Sequence, residues 1–144
     1  MTRIDPLRIL WPVVAQVALT AVVWIALYKA RLGEMSARRI DPQAVRTSRL
    51  AAGVLDNVAA ADNFRNLFEV PVLFFALAPL LLLTNQVTTA ELVLGWAFVA
   101  LRTCHSMVHI GYNRVVHRFT AYAASTLCVF AMWALFALAL AGWT

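Results

Sequence analysis

The sequence predicts an all-α integral membrane protein that folds as a four-helix bundle. Of its 144 residues, 62% are hydrophobic and 13% are charged, and the mean hydropathy is +0.76. A soluble domain carries about 45–50% apolar and about 25% charged residues. Four apolar stretches, at about 9–28, 67–84, 88–110 and 119–143, approach or exceed the ~20 residues that a helix needs to cross a hydrocarbon core. They use most of the chain, so residues 1–144 are expected to form one domain.

The first helix is predicted over about residues 9–28, followed by an inner loop over about 29–55. Its apolar run is longer than the h-region of a cleaved signal peptide and has no clear small-x-small exit. We therefore expect this helix to be retained. Within the loop, Asp41 has the residue type of an N-cap, and Pro42 suits the first position of a short helix.

The second helix is predicted over about 56–84, and its first part is expected to project below the membrane. Gly53 weakens a helix at this place, so two shorter helices joined there are an equally fair description. Pro71 and Pro79 lie inside the apolar part of the span, where each removes a backbone donor and can kink the axis.

The third and fourth helices are predicted over about 88–110 and 119–143. Cys104 and Cys128 fall inside them, where a free cysteine behaves as a small apolar residue. No disulfide is therefore expected. A bundle of four helices this small encloses little by itself, so we expect an oligomer.

The basic residues orient the helices, because cytoplasmic loops collect Lys and Arg. The segment between helices 1 and 2 is basic, whereas the stretch NQVTTAE between helices 2 and 3 holds no Lys or Arg. Loops 29–66 and 111–118 are therefore predicted to be cytoplasmic and both termini outside, in the inner membrane if the source is bacterial. The net charge of +5 favours anionic lipid or an anionic ligand on the inner side, and not nucleic acid.

Two charged residues inside the spans need partners. Arg102 lies about 15 Å above the inner end of its helix at 1.5 Å per residue, where an unpaired arginine costs about 2.5–3.5 kcal/mol on the insertion scale. Glu69 is the only acidic residue that falls inside an inner-half span. We therefore predict a structural ion pair between Glu69 and Arg102.

Three helices are predicted to bring polar faces to the inner membrane boundary. These faces carry Arg65, Asn66 and Glu69 on helix 2, Arg102, His105 and His109 on helix 3, and Arg118 and Tyr122 on helix 4. Such a basin suits a small anionic ligand with an ammonium end, because arginine binds carboxylates and a carboxylate receives an amine. Alternatively, these residues pair with one another and with lipid phosphates, and the spacing leaves both interpretations open.

Two other kinds of site are poorly supported. His105 and His109 are four residues apart and could join His117 as metal ligands. However, His117 falls in a loop and no thiolate or second carboxylate is suitably spaced, so no metal is expected. Ser106 and Ser125 lack an evident base-and-acid arrangement for hydrolysis.

Two stretches resemble motifs of the MAPEG family, the membrane-associated proteins in eicosanoid and glutathione metabolism. The stretch RNLFEVP resembles the family's Arg-Asn-x-x-Glu followed shortly by Pro at the start of helix 2. The stretch RTCHSMVHIGYNRVVHRFTAY resembles its Arg-x-x-His-x-x-x-Tyr on helix 3, followed by Arg and Tyr at the head of helix 4. Both occur in order and at matching hydrophobic positions, so the resemblance covers most of the chain.

The resemblance implies a homotrimer that binds glutathione between neighbouring subunits, in a pocket open to the cytoplasm. Arg118 matches the family's catalytic arginine, which lies near the sulfur of glutathione. A cation there favours the thiolate form of a thiol whose ordinary pKa is about 8.5. The implied substrates are lipophilic electrophiles or peroxides that arrive through the bilayer. The positions that match glutathione-binding residues are Arg65, Asn66, Glu69, His105, His109 and Tyr122.

Two departures from the family pattern bear on this activity. His109 stands where many members have Tyr, and Phe119 follows Arg118 where some have Ser. With these two replacements, the resemblance still implies that glutathione binds, but it implies activation of the glutathione thiol less directly. The alternative is a non-catalytic MAPEG-like membrane scaffold or lipid-binding protein. A third hypothesis is a small transporter or proton pathway through Arg102, His105 and His109.

Overall fold

The computed structural model describes residues 4–142, which are helical almost throughout. Two short 3-10 helices, Pro6–Ile9 and Pro42–Val45, precede α1 and α2. The α-helices are α1 (Leu10–Arg38), α2 (Ser48–Val54), α3 (Ala59–Asn66), α4 (Pro71–Leu83), α5 (Thr89–Ile110) and α6 (Val115–Leu140). The described part of the chain is therefore all-α, in agreement with the predicted fold class.

Four helical segments are long and apolar enough to cross a membrane: Pro6–Arg38, Ala59–Leu83, Thr89–Ile110 and Val115–Leu140. Large apolar side chains such as Trp11 and Leu127, each 67% exposed, point outward from them. In a bilayer these side chains contact lipid, and the helices satisfy their own backbone hydrogen bonds. The chain is thus an integral, multi-pass membrane protein.

Helix α1 continues to Arg38, beyond the predicted end at about residue 28. The predicted inner loop over 29–55 is therefore wrong in its first part, which is helical. The residues after 28 are mostly strong helix formers, and Glu34 Oε1 accepts from Arg38 Nη1 one turn later at 2.6 Å. The helix ends where Arg39 turns into the left-handed region, with φ of 49°.

The segment after α1 is tied back to that helix. Asp41 caps the 3-10 helix Pro42–Val45, and α2 ends one residue after Gly53, so the chain follows the alternative of two shorter helices. The carboxylate of Glu34 in α1 accepts hydrogen bonds from two backbone N–H groups in the turn between α2 and α3, those of Asp56 at 2.7 Å and Asn57 at 3.2 Å.

The second predicted helix is interrupted between Asn66 and Pro71, which corrects the single helix over 56–84. Pro71 has no backbone N–H and cannot continue the hydrogen-bond ladder of α3. The backbone tightens instead, and Phe68 N–H donates to the Arg65 carbonyl at 2.8 Å. Glu69 consequently lies in a turn between α3 and α4, not on a continuous helical face.

Helix α5 lies at the centre of the packing and contacts α1, α3 and α6. Gly95 allows a close approach to α1, because an added Cβ would lie 3.4 Å from Pro12 Cγ and 3.5 Å from a Phe74 ring carbon. Helix α6 begins at Val115, not at 119, so Arg118 lies inside its first turn. The helix ends at Leu140, before the predicted end at 143, a residue that itself lies outside the described part of the chain.

Candidate functional site

The turn between α3 and α4, the C-terminal half of α5 and the first turns of α6 border two adjoining open cavities. The first has a volume of about 190 Å³ and is lined by Asn66, Glu69, His105, Val115, Arg118, Phe119 and Tyr122. The second, of about 280 Å³, is lined by Asp62, Arg65, Asn66, Glu69, His109 and Arg118. Three residues line both cavities, and we call the two together the polar basin.

Seven of the predicted site residues meet in the polar basin. They are Arg65, Asn66, Glu69, His105, His109, Arg118 and Tyr122. The polar residues of predicted helices 2, 3 and 4 thus lie around one basin, as their spacing predicts, although Glu69 lies in a turn and not on a helix. What each residue does there remains a prediction.

Arg102 is fully buried in α5, and its contacts differ from those expected. Its Nη2 donates to the backbone carbonyl of Asn66, and its Cζ lies 5.4 Å from the centroid of the Tyr122 ring. Within residues 4–142 no ion pair joins Arg102 to Glu69.

Tyr122 takes the place of the predicted direct ion pair, because it contacts both charged residues. Its hydroxyl donates to Glu69 Oε2 at 3.4 Å, while its ring lies beside the Arg102 guanidinium. The helix break explains the difference. It leaves the Glu69 side chain exposed at the turn between α3 and α4.

The Arg118 side chain is held by α5 and by the loop that follows α5. Its Nη1 donates to His109 Nε2 at 2.8 Å and to Asn113 Oδ1 at 2.9 Å. His105 Nδ1 donates to the Arg118 carbonyl at 3.0 Å. A guanidinium can only donate, so His109 Nε2 must be an unprotonated acceptor.

Sequence reasoning missed Asn113 and Asp62 as members of the site. Asn113 has a φ of 49° in the turn after α5, a conformation that asparagine adopts more readily than most residues. An asparagine shortly after a helix end was the available sign. Asp62 lies three residues before Arg65 and approaches it at 3.4 Å, a spacing that can be read from the sequence.

Apolar side chains border the basin on the α6 side. Val115 and Phe119 line the first cavity and are 64% and 67% exposed. A separate apolar groove of about 460 Å³ lies between α1 and the α3–α4 segment, with aromatic walls from Trp24, Phe64 and Phe68. The basin is thus polar inside and apolar at one rim.

The three histidines do not converge. The rings of His105 and His109 pack edge to face with centroids 5.4 Å apart, whereas His117 Nδ1 lies 2.9 Å from the Tyr112 hydroxyl. Among residues 4–142, no group of three His, Cys, Asp or Glu side chains is arranged to hold a metal ion.

Several polar atoms of the basin remain available to a ligand. Within residues 4–142, Arg118 Nε and Nη2, Glu69 Oε1 and the Asn66 side-chain amide make no hydrogen bond. In the same part of the chain, the Arg65 side chain has a single hydrogen bond, the 3.4 Å contact with Asp62. This set of guanidinium, carboxylate and amide groups fits a small molecule that carries carboxylates and an ammonium group.

Comparison with known proteins supports the resemblance of the motifs. A family model described as the MAPEG family matches residues 9–138, nearly the whole chain and all of the polar basin. The comparisons with curated proteins and with solved structures gave no match.

Proposed function

Because the chain belongs to the MAPEG family, whose members include glutathione transferases and peroxidases, we propose that it is a membrane-bound enzyme of this glutathione-dependent kind. Its proposed substrates are lipophilic electrophiles or peroxides. The observation that best supports the proposal is the polar basin, in which Arg65, Arg118 and Glu69 offer charges of both signs to one ligand.

Each end of glutathione has a complementary group in the basin. Glu69 would receive the ammonium group through its unused carboxylate oxygen. Arg65, which is exposed and only loosely paired with Asp62, would bind a carboxylate with its planar donors. Asn66 can serve either kind of group because its amide both donates and accepts.

Arg118 is the residue to which we assign catalysis. Bound glutathione would supply a thiol that reacts with electrophiles as the thiolate. The half-buried Arg118 would stabilise that negative charge, and each unit by which it lowers the thiol pKa is worth 1.36 kcal/mol. The N-terminus of α6, which begins three residues earlier, adds partial positive charge in the same place.

The apolar rim supports the proposed substrate class. Val115 and Phe119 project from the first turns of α6, where they line the first cavity and remain largely exposed. A lipophilic molecule dissolved in the bilayer would reach the basin over these side chains without crossing water.

We further propose a homotrimer with the basin at an interface between subunits, facing the cytoplasm. Both cavities are open, and each is smaller than the ~300–1,000 Å³ that is typical of small-molecule sites. A neighbouring subunit would supply the missing wall. Exposed apolar faces on the spanning helices provide surface for such packing.

The catalytic assignment is tested by comparing Arg118→Ala with Arg114→Ala. Arg114 is an exposed arginine one turn earlier and is absent from the walls of both cavities. With purified protein, glutathione and a lipophilic electrophile, Arg118→Ala should lower kcat by about 100-fold or more, whereas Arg114→Ala should retain the rate. An undiminished rate in Arg118→Ala, with assembly verified by native mass spectrometry, would rule out the assigned role.

The same assay separates the enzyme from a non-catalytic scaffold or lipid-binding protein. The residues that keep this second candidate open are His109 and Phe119, which stand where many family members have Tyr and some have Ser. A wild-type protein that binds glutathione but converts neither electrophiles nor peroxides would favour the scaffold.

A further inference from the structure

The Arg118 guanidinium is fixed by two side chains: Asn113, which has no role so far, and His109, which until now only matches a glutathione-binding position of the family. We propose that His109 and Asn113 are positioning residues, which bind one nitrogen of Arg118 and leave its other N–H groups for the ligand's sulfur. The inference rests on the proposed function and deepens it. It concerns how this chain aims the cation on which thiol activation depends.

The hydrogens of Arg118 Nη1 show which edge of the guanidinium is free for a ligand. Nη1 of an arginine has two hydrogens, and here His109 Nε2 at 2.8 Å and Asn113 Oδ1 at 2.9 Å take one each. Nη1 therefore has nothing left to donate to a ligand. Nε and Nη2 keep all of their hydrogens for a ligand, since among residues 4–142 both hydrogen bonds of the Arg118 side chain use Nη1. These two nitrogens form the edge of the guanidinium that remains free for a negatively charged sulfur.

The two acceptors are themselves well fixed. His109 is only 2% exposed, and its ring packs against that of His105. His105 in turn donates to the Arg118 carbonyl at 3.0 Å, so both the backbone and the side chain of Arg118 are tied to α5. Asn113 is held by its own N–H, which donates to the Val108 carbonyl at 2.7 Å.

Loss of His109 would change the orientation of Arg118 but not its charge. The guanidinium would keep one of its two side-chain hydrogen bonds, that to Asn113, so it could rotate away from the sulfur. Preorganised donors contribute most to the transition state. Loss of His109 should therefore affect kcat and the fraction of thiolate more strongly than the binding of glutathione, which depends on Arg65 and Glu69 as well.

The first test compares His109→Leu, which removes the acceptor, with His109→Gln, which supplies an amide oxygen in its place. The readouts are the ultraviolet absorbance of the bound glutathione thiolate against pH, together with kcat and KM. We expect His109→Leu to raise the midpoint by about one pH unit and to lower kcat about tenfold, with KM for glutathione changed less than about threefold. His109→Gln should restore most of both.

Asn113 provides a second variant, at a position that is not buried. Asn113→Gly removes the acceptor and keeps the left-handed turn, where φ is 49°, because glycine adopts that conformation without strain. It should therefore assemble even if His109→Leu does not, and it should shift the midpoint in the same direction. An unchanged midpoint in both His109→Leu and Asn113→Gly, or a His109→Gln variant as impaired as His109→Leu, would overturn the inference.

A third measurement tests the contact without glutathione. In protein labelled with nitrogen-15 histidine, Arg118→Met should shift the Nε2 resonance of His109 and leave His117, which bonds Tyr112, unchanged. No shift at His109 would refute the positioning contact, whatever the protein does with glutathione. If the shift occurs but the wild-type protein binds no glutathione, the contact stands and the proposed function fails.

Discussion

At the scale of single residues, the site depends on how few charges occupy the polar basin. Among residues 4–142, Glu69 and Asp62 are the carboxylates that line it, and Asp62 already lies beside Arg65. Within the same range, Glu69 makes a single hydrogen bond, of 3.4 Å, with the Tyr122 hydroxyl, so most of its hydrogen-bonding capacity is unused. This pattern assigns the two carboxylates different tasks, ligand binding for Glu69 and pairing with arginine for Asp62.

Glu69→Gln should weaken glutathione binding about 10- to 100-fold, because a hydrogen bond to a charged group contributes about 1.5–3 kcal/mol. Arg114→Ala, which changes a residue that lines neither cavity, should keep the wild-type affinity. Isothermal titration of both variants against the wild type measures the difference. Equal affinity in Glu69→Gln would show that another group receives the ammonium end.

The residues also show where the sequence was sufficient and where it was not. Helical spacing alone predicts that Arg102, His105 and His109 share one face of their helix, because the spacing does not depend on how the helices pack. In the structure that face is buried. The Glu69–Arg102 ion pair could not be predicted correctly, since it assumed an unbroken helix. Asn113 was missed because its contact with Arg118 depends on a left-handed turn.

At the scale of helices, apolar content and helix propensity mark different boundaries. Apolar content ended helix 1 at about residue 28, but the backbone stays helical to Arg38 because charged residues that favour helices follow. The bounds of α5, Thr89–Ile110, lie within one residue of the prediction, because its apolar stretch and its helical backbone end at nearly the same residues. The break after Asn66 went unpredicted because membrane helices often tolerate proline.

Arg102→Leu should loosen the break between α3 and α4. The Arg102 guanidinium donates to the carbonyl of Asn66, the last residue of α3, and leucine cannot replace that bond. Hydrogen–deuterium exchange should accelerate at the backbone amides of residues 67–70. Unaltered exchange at the break would mean that Pro71 alone determines it.

Glu34→Ala should release the turn between α2 and α3 from α1. This carboxylate accepts from two backbone N–H groups in the turn, those of Asp56 and Asn57. Limited proteolysis should then cut near residues 55–58 faster than in the wild type. The neighbouring exposed substitution Ser36→Ala serves as a control, and equal cleavage in all three proteins would contradict the proposed anchoring.

Gly95 should tolerate alanine but not leucine. A Cβ at this position meets its three nearest atoms at 3.4–3.6 Å, which is ordinary contact, whereas a larger side chain overlaps Pro12 and Phe74. Overpacking of this kind costs about 1–3 kcal/mol. Thermal unfolding in detergent should leave Gly95→Ala close to the wild type and lower the stability of Gly95→Leu, and equal stability of the two variants would refute the close approach of α1.

At the scale of the whole molecule, the account requires the basin to face the cytoplasm. Labelling with a membrane-impermeant maleimide tests this, with single cysteines introduced by Arg46→Cys before α2 and by Thr84→Cys after α4, in a background without Cys104 and Cys128. In intact cells only Thr84→Cys should react, because basic loops stay inside. Reaction of Arg46→Cys alone would invert the proposed orientation.

The central claim is that the polar basin binds glutathione, and a titration followed by thermal unfolding tests it most directly. At a glutathione concentration 100 times its Kd, the wild-type protein should gain about 2.7 kcal/mol of stability. Arg114→Ala should gain as much, and Glu69→Gln should need a higher concentration. Millimolar glutathione without any stabilisation of the wild-type protein would contradict the account.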